Sequence, residues 1–185
     1  MRIRNFAPCV VLLIIAVLIA APVPANAQNM HVGLAYAPAN TIGFSNGIRL
    51  DLRAIKTWHF VEAETGAWTS NQAKYPHGAT GYRWEWDASL RAVLFDSLRF
   101  GIRFDQLGYR SDMPRGLSWA KHSEVARWYE IGFGVENGGR ILLGRSNSEW
   151  RIDLRWPVSN RWCFFATHEW AGEGRDSALG LALTF

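Results

Sequence analysis

Through most of its length the chain alternates between two kinds of residue with a period of two. In GYRWEWDASLRAVLF, Tyr82, Trp84, Trp86, Ala88, Leu90, Ala92 and Leu94 share one face, opposed by Arg83, Glu85, Asp87, Ser89 and Arg91. SLRFGIRFD sets Leu98, Phe100, Ile102 and Phe104 against Arg99, Arg103 and Asp105. WRIDLRW sets Trp150, Ile152, Leu154 and Trp156 against Arg151, Asp153 and Arg155, and GIRLDLRA sets Ile48, Leu50 and Leu52 against Arg49, Asp51 and Arg53. Neighbouring side chains of a strand point to opposite faces, so these segments predict strands with one apolar and one charged face.

The charged face discriminates between a soluble sandwich and a barrel in lipid. A sandwich turns its polar face to water and populates it with lysine. Here that face carries eight arginines (49, 53, 83, 91, 99, 103, 151, 155) and eight acids (51, 62, 64, 85, 87, 105, 130, 153). The planar guanidinium fork suits bidentate pairing with carboxylates in confined surroundings. The pattern therefore reads as the filled interior of a narrow barrel whose apolar face is turned to lipid.

The N-terminus agrees. MRIRNFAPC carries two arginines and no acid, and the apolar run from Val10 to Ala21 follows it. That run is shorter than the ~20 residues of a membrane-spanning helix and fits a secretory signal peptide. Pro22 and Pro24 break it, and Ala25, Asn26 and Ala27 form an A-x-A cleavage site, giving a signal peptide over 1–27 and one barrel domain over 28–185. Cys9 leaves with the peptide, so Cys163 has no partner for an intramolecular disulfide. Loss of Arg2 and Arg4 takes the formal charge from +4 to +2, too small an excess to indicate nucleic acid.

Ten strands are expected, near 30–37, 47–56, 58–69, 81–94, 98–109, 123–135, 139–146, 149–156, 161–170 and 176–185. Tight turns near Lys56 and Asp96, and at ENGG and PVSN, alternate with longer connections such as SNQAKYPHGAT and SDMPRGLSWAKHS. Short periplasmic turns and longer external loops are the rule for transmembrane barrels, and two periplasmic termini require an even strand number. An eight-strand alternative would merge segments across SNSE and across AGEGRD or PVSN. The fold class is thus all-β, a single up-and-down antiparallel transmembrane barrel. Several of the ten tryptophans fall at strand ends, as aromatic girdles do.

The C-terminal SALGLALTF places Leu179, Leu181, Leu183 and Phe185 on one face. A terminal phenylalanine with alternate apolar residues before it resembles the end of Gram-negative outer-membrane barrels. The resemblance implies that Phe185 belongs to an insertion signal read by the outer-membrane insertion machinery, and that the protein resides in the outer membrane. The balanced inward charges resemble the OmpA/OmpX type, a non-conducting structural or surface barrel. A pore or ligand carrier is disfavoured by the same charges, which would fill a lumen of this strand number.

VSNRWCFFATHEWAGEGRDSALGLALTF resembles, in layout, the C-terminal hairpin of outer-membrane lipid A 3-O-deacylases, and IGFGVENGG resembles that family's preceding strand and turn. In the family a nucleophilic serine follows the histidine by two residues and a downstream glutamate orients it. Here Glu169 and Trp170 follow His168, so the serine and asparagine positions do not match. A displaced catalytic set would use His168 as base, Ser177 as nucleophile and Glu173 as orienter. Ser177 is expected nearly opposite Trp170, diagonal to His168. Without that chemistry His168 is a rim residue and Ser177 a hydroxyl at the start of a strand.

The loop cations Lys74, Arg110, Arg115, Lys121 and Arg175 form an expected basic rim where lipopolysaccharide phosphates lie. Membrane lipid and lipopolysaccharide are thus the expected partners. His31, His59, His77 and His122 lie on separate segments without metal-ligand spacing, and there is no phosphate-binding glycine loop. No metal and no cofactor are expected.

Overall fold

The computed structural model describes residues 28–40, 43–73, 81–111, 120–135, 138–147, 149–171 and 174–185. The expected signal peptide, 1–27, lies outside them. Ten strands follow in chain order: β1 (Gln28–Ala37), β2 (Gly47–Trp58), β3 (Val61–Ser70), β4 (Gly81–Leu94), β5 (Leu98–Ser111), β6 (Ala120–Gly134), β7 (Arg140–Ser146), β8 (Glu149–Pro157), β9 (Trp162–Ala171) and β10 (Gly174–Thr184). Each pairs antiparallel with its neighbours, and β1 pairs β10, so the sheet closes on itself. The ten-strand count holds, and the eight-strand alternative is not formed.

Strand ends move by a few residues. The first turn falls at His59 and Phe60 rather than at Lys56, because β2 runs on to Trp58 and pairs it with Val61. SNSE and AGEGRD, assigned to the long-loop side, are nearly consumed by strand: β8 starts at Glu149 and β10 at Gly174.

The two faces separate as the alternation requires. Leu34, Ile48, Leu50, Leu52, Leu90, Phe104, Ile131, Phe133 and Leu181 are exposed on the outside. Inside, Arg49, Arg53, Arg83, Arg91, Arg103, Arg151 and Arg155 are buried with Asp51, Glu62, Glu64, Glu85, Asp87, Asp105, Glu130 and Asp153. An apolar exterior around a charged, buried interior cannot be stable in water, whereas in lipid both faces are satisfied. The chain is a membrane-spanning β-barrel of the outer-membrane type.

The interior is a network rather than a set of isolated pairs. Glu64 receives Arg53 at 2.6 Å, Arg91 at 2.5 Å and Arg140 at 2.6 Å. Arg91 also reaches Glu62 at 3.0 Å and Glu130 at 2.6 Å, and Arg53 holds both oxygens of Asp87 at 3.1 Å. Arg103 links Glu85 and Asp87, and Arg151 links Glu85 and Asp105. Arg140, absent from the sequence-level set, enters because it opens β7 with inward parity just after the ENGG turn. The charges concentrate on β2 to β8. The wall made by β9, β10 and β1 instead presents Phe165, Ala35, Ala178 and Ala182, which pack as a small apolar cluster.

Two glycines explain how ion pairs span alternate strands. Gly66 lies between Arg53 and Asp87 in register, and Gly101 lies between Arg91 and Glu130. In each case the arginine crosses above the glycine to its carboxylate two strands away. A Cβ on Gly66 would meet Arg53 Cζ at 2.8 Å and Asp87 Oδ2 at 2.9 Å.

The C-terminus completes the closure. Phe185 donates its backbone N–H to Met30 O at 2.9 Å, and Met30 N donates to Phe185 O at 3.3 Å, while the phenyl ring stays exposed on the outside. Deleting Phe185, or replacing it with Asp, is expected to lower the yield of folded barrel, measured as the fraction that migrates faster unboiled than boiled on a gel. An unchanged fraction would show that closure and insertion do not need this residue.

Candidate functional site on the lipid-facing wall

His168 sits on β9 with outward parity, shared with Trp162, Phe164, Ala166 and Trp170. Ser177 on β10 shares the outward parity of Leu179, Leu181 and Leu183. The register pairs Ser177 directly with His168, and Trp170 with Arg175. The expected diagonal placement is therefore corrected. β9 extends to Ala171 and β10 resumes at Gly174, so the strands meet two residues earlier than a longer loop would allow.

Direct pairing brings the two side chains together. His168 Nδ1 and Ser177 Oγ lie 2.6 Å apart, and the hydroxyl donates when the imidazole carries its proton on Nε2. Trp170 packs edge-on against the imidazole at 4.1 Å between ring centres, which limits its rotation. Ile152 of β8 flanks His168 on the other side. Base and nucleophile are thus within hydrogen-bond reach on an outward, half-buried surface, the geometry that activates a serine hydroxyl. The third residue of the expected set, Glu173, lies outside the described residues.

Behind the pair, Asp176 faces inward. It joins Arg83 at 2.7 Å and accepts from Asn40 Nδ2 at 2.9 Å. Asn40 in turn holds Phe44, its Oδ1 accepting from Phe44 N at 2.8 Å and its backbone N–H donating to Phe44 O at 3.0 Å. Phe44 is buried beneath Arg83, whose guanidinium lies 4.1 Å from its ring centre, and against Tyr109 at 5.5 Å. Gln72 Nε2 donates to Ser45 O at 2.8 Å and Ser45 N donates to Ala73 O at 2.9 Å, tying the residues before β2 to those after β3. This packing of Phe44 has no periodic signature in the sequence.

The expected basic rim is described in part. Lys74 and Arg115 lie outside the described residues. Arg110 and Lys121 are opposite each other on β5 and β6, their side chains outside the description. Arg175 is exposed at the start of β10. Cys163 is buried and unbridged. Among the described residues no group of three or more His, Cys, Asp or Glu is arranged to hold a metal ion.

No protein-family model matches the chain, and neither does any curated protein. Among solved structures the chain is distantly similar to several proteins. Neisserial surface protein A is 11% identical with a TM-score of 0.45, covering 85% of this chain and 95% of that one. The attachment invasion locus protein Ail of Yersinia pestis is 9% identical with a TM-score of 0.40, covering 86% and 99%. The N-terminal β-barrel domain of OprF from Pseudomonas aeruginosa is 11% identical with a TM-score of 0.37, covering 86% and 98%.

Proposed function

We propose that the chain is a small outer-membrane barrel that works at its outer surface rather than through its lumen, engaging lipopolysaccharide through cations at its rim. The observation that carries this reading is the buried ion-pair network, with Glu64 held by three arginines and Phe44 buried against Arg83. Buried charges so paired resist displacement by passing ions, because separating them exposes uncompensated charge in a confined space. The expected result in planar bilayers is the absence of stable single-channel steps. Binding to lipopolysaccharide should weaken when Lys74, Arg110, Arg115, Lys121 and Arg175 are neutralised together. Steady conductance, or undiminished lipopolysaccharide binding, would contradict this reading.

A second reading is favoured by the 2.6 Å contact between His168 and Ser177. On it the barrel is an esterase acting on an acyl ester of lipid A. Ser177 would attack the ester carbonyl, His168 would accept its proton and return it to the leaving alcohol, water activated by His168 would then cleave the acyl-serine to release the fatty acid, and Glu173 would orient the imidazole. The test is mass spectrometry of lipid A from cells expressing the wild type, His168→Ala or Ser177→Ala. Loss of one acyl chain in the wild type alone supports the esterase; identical spectra with folded barrel in all three exclude it.

A further inference from the structure

The outward side chains just beyond the His168–Ser177 pair form a continuous row across five strands. Tyr129 of β6 is opposite Arg145 of β7, Arg145 is opposite Trp150 of β8, Trp150 is opposite Trp170 of β9, and Trp170 is opposite Arg175 of β10. Arg127 stands one outward position further along β6, diagonal to Arg145. All three arginines are exposed. Arg127 and Arg145 each lie on an aromatic ring, at 5.3 Å from the centre of Tyr129 and 4.9 Å from that of Trp150.

This row is out of keeping with the rest of the exterior, where the outward positions of β7 and β8 are Ile141, Leu143, Ile152 and Leu154. Cations on a lipid-facing wall are costly at depth and favourable at the level of anionic headgroups. The row lies toward the end of the barrel opposite the termini. The rings of Tyr129 and Trp150 support the guanidiniums of Arg127 and Arg145 on the wall, Arg145 Nε donating to Asn147 O at 3.4 Å, and the terminal N–H groups of a guanidinium match a phosphate bidentately.

We propose that Arg127 and Arg145, with Tyr129 and Trp150, form a site for the phosphate of a membrane lipid in the leaflet at that end of the barrel. The occupant is a lipid rather than a soluble anion because the row is continuous with the apolar wall below it, over which acyl chains would run. The next outward row toward the membrane centre is Ile131, Leu143, Ile152, His168 and Ser177. Adjacent rows are about 7 Å apart, roughly the span of the unit linking a lipid phosphate to its first acyl ester. The proposal rests on the barrel spanning a membrane. It requires neither the loop cations nor catalysis.

The folded barrel would be titrated in neutral detergent with dioleoyl phosphatidic acid and separately with dioleoyl phosphatidylcholine, and bound lipid counted by native mass spectrometry. A saturable phosphatidic acid adduct without its phosphatidylcholine counterpart is expected. Each of Arg127→Gln and Arg145→Gln should weaken it about fivefold, as expected for one cation near an anionic headgroup. Arg145→Lys should retain most of the affinity, which separates charge from a packing defect. Neutralising Lys74 and Arg115 should leave the adduct unchanged. Equal binding of the two lipids, an unchanged adduct in the double glutamine variant, or displacement by inorganic phosphate in millimolar excess would overturn the proposal. None of these outcomes depends on lipopolysaccharide binding or on lipid A spectra, so failure here is distinguishable from failure of those readings.

Discussion

Arg91→Met is expected to destabilise the folded barrel by about 3–5 kcal/mol, the usual cost of stranding a buried carboxylate. Arg91 serves Glu62, Glu64 and Glu130, and these acids are unequally provided for without it. Glu62 keeps Arg99 at 2.9 Å and Arg140 at 3.2 Å, and Glu64 keeps Arg53 and Arg140. Glu130 is bridged by Arg91 alone among the ion pairs of the described residues. The loss should therefore fall on Glu130, and the double variant Arg91→Met with Glu130→Leu should recover much of it. Urea unfolding in detergent, followed by tryptophan fluorescence, measures both. An unchanged midpoint for Arg91→Met would show that water, rather than the network, solvates this carboxylate.

Gly101→Ala is expected to cost about 1–3 kcal/mol although it adds a single methyl group, because overpacking a closed wall has few ways to relax. The new Cβ would lie 2.1 Å from Leu90 O and 2.7 Å from Arg91 Cα, and neither backbone atom can swing aside. It would also stand under the guanidinium on its way to Glu130. The same unfolding measurement applies, and Gly138→Ala serves as the comparison, since nothing lies within 4 Å of a Cβ there. Gly138 has φ +85°, so its substitution reports backbone strain without crowding. Equal losses at both positions would mean that conformation rather than the crossing arginine sets the requirement for glycine.

Period-two alternation was sufficient for the fold because each strand buries one face in charge and the other in lipid, and a one-residue slip would exchange them. The interior acids and arginines read from GIRLDLRA, GYRWEWDASLRAVLF and WRIDLRW all take the inward places expected. What the alternation could not convey was register, which depends on how many residues each turn consumes. AGEGRD read as a loop placed Ser177 opposite Trp170; with β9 and β10 extended into it, Ser177 meets His168. Arg145 was legible in principle, since in RILLGRS it breaks the outward series Ile141 and Leu143, yet a single charge at a strand end looks like any rim residue. Phe44 and the crossings above Gly66 and Gly101 belong to contacts between segments distant in sequence, and no local pattern carries them.

The wall is not of uniform height. β4 runs for 14 residues and β7 for 7. Between Tyr82 and Leu94 the strand rises about 40 Å, which a tilt of roughly 40° reduces to about 30 Å across the bilayer. Between Gly139 and Arg145 the corresponding rise is about 20 Å, or roughly 15 Å across it, against an apolar band of ~25 Å for such barrels. Lipid beside β7 must compress or splay its chains to cover the shorter wall, at a fraction of a kcal/mol per ångström of mismatch. The barrel thus acts as an asymmetric wedge that pinches the bilayer on the side of β7.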